Sequence, residues 1–110
     1  MAPSEFRNFQ EFWPHYVREH RRPATRQLHF AGTTAAIACI IGAVALLSFW
    51  FLLLAPIAAY GLAWLGHFFI EGNRPATFRY PLWSLIAELR MYALMWRGRM
   101  NDEVRRLAPD

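Results

Sequence analysis

The chain has 110 residues, a net charge of +4 at pH 7 and a sequence pI of about 10.0, with 55% hydrophobic and 16% aromatic residues. That length holds one domain at most, and a single cysteine, Cys39, excludes a disulfide framework or a cysteine zinc cluster. Mean hydropathy is only +0.11, so the apolar residues are concentrated in one block. All twelve basic residues are arginine, but no nucleic-acid motif accompanies them, and nucleic acid is excluded as a partner.

The first predicted element is residues 4–20, SEFRNFQEFWPHYVREH, read as an amphipathic helix lying on a membrane with Ser4 as its N-cap. Phe6, Phe9, Trp13 and Tyr16 make its apolar side, and His15 is read as an interfacial surface residue. The tetrapeptide Arg-Pro-Ala-Thr follows at 22–25 and returns at 74–77. The flanks of the two copies share nothing, so the repeat is no duplication.

Residues 27–70 contain no Asp, Glu, Lys or Arg. A small soluble domain could not cover so long an apolar run, and it is far longer than the ~7–15 apolar residues of a signal peptide. A bilayer core of ~30 Å takes ~20 residues per span, so the block divides into two transmembrane helices, 29–47 and 52–71. The turn between them is expected at Ser48-Phe49-Trp50-Phe51. Gly72-Asn73 and Pro75 stop the second helix. Arginines flank both ends of the block and none lies at its centre, which places both termini in the cytoplasm. In a bacterium this would be the inner membrane.

Small residues (Gly32, Ala36, Ala38 and Gly42; Ala59, Gly61 and Ala63) let the two backbones approach closely. Two spans enclose little volume, so a homodimer is expected, with Gly42 and Gly61 at its seam. Residues 82–96 form a second amphipathic helix, interfacial or half-immersed. Its apolar stripe is Leu82, Leu85, Ile86, Leu89, Ala93 and Trp96. Residues 98–110 read as a polar, frayed tail. The fold class is therefore an all-α membrane protein, a two-span hairpin flanked by amphipathic helices.

A hairpin returns the chain to its starting face, and both Arg-Pro-Ala-Thr copies come to one membrane border. His29, His67 and Glu71 then lie within ~6 Å of one another in depth. His67 and Glu71 are four apart and share a helix face. His20 can fold onto the same patch across Pro23. Imidazoles with a carboxylate suit iron(II), or less well zinc. The plainer reading is that histidines are at home at a membrane interface and that Glu71 pairs with Arg26 or Arg74.

The constellation His20-x8-His29-x2-Gly32, then Gly66-His67-x3-Glu71-x3-Pro75-Ala76, resembles a family of small membrane proteins. Its type is the fungal iron-dependent 2-hydroxy fatty acid alpha-dioxygenase, and the resemblance covers roughly residues 6–96. It implies an Fe(2+) site at His20, His29 and His67, with Glu71 a ligand or the partner of one. It also implies a long-chain 2-hydroxy fatty acid shortened by one carbon with release of carbon dioxide. Arg22, Arg26 and Arg74 are the candidates to hold its carboxylate. The chain departs from the fungal type at Thr25, where that motif has Asn, and it lacks a longer central region with further spans. The alternative function is a non-catalytic membrane protein that binds a lipid or protein partner.

Overall fold

The computed structural model describes residues 6–109, and its regular structure there is entirely helical. The helices in chain order are α1 (Phe9–Arg18), α2 (Pro23–Leu46), α3 (Trp50–Leu65), α4 (Pro81–Trp96) and α5 (Met100–Leu107). A π-helical turn, Gly66–Glu71, continues α3, and a 3-10 turn covers Ala76–Phe78. The chain groups into two compact units: residues 22–74 form one, and the segments on either side form the other.

The 22–74 unit is the helical hairpin. Pro23 occupies the first position of α2, where a missing N–H costs nothing. It opens the helix rather than breaking one, and α2 starts six residues before the expected boundary at 29. The turn is also displaced: Leu47 takes a left-handed conformation (φ 52°), and α3 already begins at Trp50. Gly72, with φ 76°, ends the second arm as the sequence predicts.

Both arms, Pro23–Leu46 and Trp50–Glu71, are long and apolar enough to cross a membrane. Only 22% of each apolar window is buried, so neither is the core helix of a soluble fold. Ile41, Val44, Leu46, Ile57 and Phe69 all face outward. The arms meet closely at two glycines. A Cβ on Gly32 would lie 3.0 Å from the Ala59 carbonyl oxygen and 3.2 Å from that of Ala58. One on Gly66 would lie 2.9 Å from Thr25 Cγ2. Gly42 lies beside the Phe51 ring of the same hairpin, which is 3.7 Å from an added Cβ. An added Cβ on Gly61 meets nothing within 4 Å among the described residues.

The other unit is built on α1. Asn8 Oδ1 accepts the Glu11 N–H at 2.9 Å, and Glu11 in turn accepts the Arg7 N–H at 3.0 Å. The helix thus begins at Phe9; Ser4 lies outside the described residues. Phe12, Trp13, Tyr16 and Val17 are buried with Ala87, Met91, Met100 and Ala108.

The packed face of α4 is Ser84, Ala87 and Met91, whereas Leu82, Leu85, Ile86, Leu89 and Trp96 are exposed. The apolar stripe is therefore the outer face. Small side chains at Ser84 and Ala87 admit the bulky aromatics of α1, and Glu88 accepts a hydrogen bond from the Tyr16 hydroxyl at 3.0 Å.

The tail is not frayed. Gly98 (φ 69°) turns the chain into α5, which buries Met100. The Trp13 indole N–H donates to Glu103 Oε2 at 2.7 Å. Burial works to raise the Glu103 pKa, but hydrogen bonds from Arg106 and Trp13 prevail and hold it below the usual carboxylate range. Met100, Val104 and Leu107 form an apolar stripe too narrow to stand out in a polar segment.

Candidate metal centre

Three of the four histidines are buried: His20 (0% exposed), His29 (3%) and His67 (2%). Each offers a ring nitrogen, and these atoms all lie within 4.8 Å of one another. His29 projects from the second turn of α2 and His67 from the π-helical turn. Their rings are 5.0 Å apart between centroids and nearly perpendicular, at 87°. The depth match expected from the hairpin is present. The close approach at Gly32 and Gly66 makes it possible, because any larger residue there would hold the arms apart.

The π-helical turn widens the backbone at His67, a distortion common at functional sites. The His67 carbonyl accepts N–H groups from both Gly72 (2.8 Å) and Asn73 (3.0 Å). That folds Asn73 back so that its Oδ1 accepts from His67 Nδ1 at 2.6 Å. An amide oxygen only accepts, so Nδ1 is the donor, and in the neutral ring Nε2 keeps its lone pair.

The same logic holds for His20, in the turn that follows α1. Its Nδ1 donates to the Tyr16 carbonyl at 2.7 Å, and its ring stacks on that of Tyr16 at 4.1 Å. Again Nε2 is left as the donor to a metal. Neutral imidazoles whose other nitrogen is tied to an oxygen are the usual way proteins present histidine to a metal. The donor set fits iron(II) or zinc.

Glu71 is not among the grouped atoms. Its Oε2 accepts the Arg22 backbone N–H at 2.7 Å. The start of α2 has unpaired N–H groups and a positive dipole end, and this draws the carboxylate there. Arg26 is 4% exposed and feels the Glu71 charge, whereas Arg22 and Arg74 are exposed. His15 is half-buried, with its ring against Phe6 and Phe12 at 5.0 and 5.9 Å, and is not part of the histidine group.

From its place in the sequence, Asn73 reads only as a helix stop and Tyr16 only as an interfacial aromatic. The signal for Tyr16 was its spacing, four residues before His20 on a helix. Asn73 has no such signal, because its contact depends on the π-helical turn.

A helical hairpin of membrane-spanning length together with three converging buried imidazoles defines a small helical protein able to hold a metal ion. Residues 6–100 match the family described as Mpo1-like, 2-hydroxy-palmitic acid dioxygenase Mpo1-like, and the chain belongs to that family. No curated protein and no solved structure gives a match.

Proposed function

We propose that the protein is a membrane-embedded iron(II)-dependent dioxygenase that shortens 2-hydroxy fatty acids by one carbon. The observation that carries this reading is the group of three buried histidines in a chain of the 2-hydroxy-palmitic acid dioxygenase family. His20, His29 and His67 would hold the metal through Nε2, with the Tyr16 carbonyl and Asn73 fixing two of the rings. Bound iron(II) supplies the one-electron chemistry that lets ground-state dioxygen react with a closed-shell acid.

The chain's own residues bind and orient the acid. Arg26 would take its carboxylate; its burial and its position three residues before His29 support that role. The uncovered apolar arms keep the acyl chain in lipid. In the overall reaction the C1–C2 bond breaks, C1 leaves as carbon dioxide, C2 becomes the new carboxyl carbon, and dioxygen is reduced with release of one water.

The test is anaerobic purification in detergent, loading with iron(II), and addition of 2-hydroxypalmitic acid and oxygen. The expected products are a fifteen-carbon acid and carbon dioxide, detected by mass spectrometry. Iron-loaded protein that leaves the acid unchanged would sink the reading in favour of a non-catalytic lipid- or protein-binding membrane protein.

Location is part of the proposal. Arginines flank both arms, so both termini face the cytoplasm and the Leu47–Phe49 turn faces the other side. Reporter fusions at each terminus and in that turn check it; a C-terminus on the far side would contradict the hairpin.

A further inference from the structure

Thr25 is fully buried, and its hydroxyl oxygen has no hydrogen-bond partner among the described residues. An unpaired buried hydroxyl costs free energy, and valine has nearly the same shape without that cost. Packing therefore explains the methyl group of Thr25 but not its hydroxyl. The methyl is accounted for: Cγ2 lies 2.9 Å from where a Gly66 Cβ would be, and Cα lies 3.4 Å from it. Thr25 thus fills the crossing of α2 with the turn that carries His67, directly after Gly66. It is also four residues before His29, so the two side chains share one face of α2. A polar atom left unpaired on the helix face that carries His29, where α2 crosses the turn that carries His67, is the kind of local cost that binding sites retain.

We propose that Thr25 is a recognition residue whose hydroxyl hydrogen-bonds a carboxylate or 2-hydroxyl oxygen of the acid held at the histidines. This rests on the function proposed above and adds a specificity element to it. The hydroxyl favours a ligand with an oxygen at this point and disfavours one that presents only carbon, because that would leave the hydroxyl buried and unpaired.

The experiment compares the full-length wild type with Thr25→Val and Thr25→Ser, each loaded with iron(II) under anaerobic conditions. Three quantities are read: metal stoichiometry, the dissociation constant of 2-hydroxypalmitic acid, and the thermal midpoint of the metal-free protein. All three proteins should hold the same amount of iron. Thr25→Val should melt at or above the wild-type temperature yet bind the acid ~10-fold more weakly, whereas Thr25→Ser should stay within ~3-fold of wild type.

Equal acid binding by wild type and Thr25→Val would overturn the proposal, because the hydroxyl would then hold no more than a water molecule. Equal weakness of the Val and Ser variants would overturn it too, by assigning the effect to the methyl. A wild type that takes iron but binds no 2-hydroxy acid would overturn the substrate reading itself, and the role of Thr25 toward that acid with it.

Discussion

Alanine at His29 or His67 is expected to remove bound metal, with an affinity loss of at least ~100-fold, because each change deletes one of three nitrogen donors. His20→Ala should do the same. Asn73→Leu keeps all three donors but frees the His67 ring to turn or to change tautomer, so a loss of ~10–100-fold is expected. Asn73→Asp retains an acceptor for Nδ1 and should restore binding. Glu71→Gln still offers an oxygen to the Arg22 N–H and should keep its metal. His15→Ala, outside the group, should change nothing. The measurements are iron stoichiometry and a cobalt(II) titration for each variant, with monodispersity in detergent as the check on folding. Full metal in His67→Ala beside an empty His15→Ala would place the site elsewhere.

Gly32→Val is expected to disrupt the hairpin, whereas Gly61→Val leaves it intact. The added carbons at Gly32 meet the backbone of Ala58 and Ala59 at 3.0–3.2 Å, and backbone cannot turn aside as a flexible side chain can. Such overpacking costs ~1–3 kcal/mol, or more where nothing yields. Gly32 lies three residues after His29 on the same face of α2, so separating the arms should also separate His29 from His67. Gly32→Val should therefore lose thermal stability and metal together. An added Cβ on Gly61 meets no atom within 4 Å among the described residues, and a valine there has room. Thermal unfolding in detergent and metal content decide the matter; equal behaviour of the two variants would mean that close approach at Gly32 does not hold the hairpin.

The displaced helix boundary, the packing face of α4 and the ordered tail have separate physical causes. Helix α2 starts at Pro23 and not at 29, because proline at the first helical position favours the helix it opens. Helix α4 carries two usable faces. Its bulky apolar stripe is conspicuous in the sequence, yet the small residues Ser84 and Ala87 make the better surface for the aromatic side chains of α1. The segment after Gly98 is polar on average, and α5 exists through three spaced apolar residues and the Trp13–Glu103 hydrogen bond, 90 residues apart in sequence. No local pattern announces such a contact.

By itself the sequence determined the helical hairpin, the family resemblance and the pairing of His29 with His67. A charge-free run of fixed length can fold in lipid in few ways, and helical rise converts residue number into depth. Only the tertiary structure decided which atoms accompany the histidines. Asn73 reaches His67 because a π-helical turn folds the chain back, a feature set by backbone hydrogen bonds that no residue type dictates. Glu71 went to the start of α2 instead of the metal group because unpaired N–H groups there offered its carboxylate a partner. Depth along a helix can be counted from a sequence; the direction of a side chain depends on what waits across the gap.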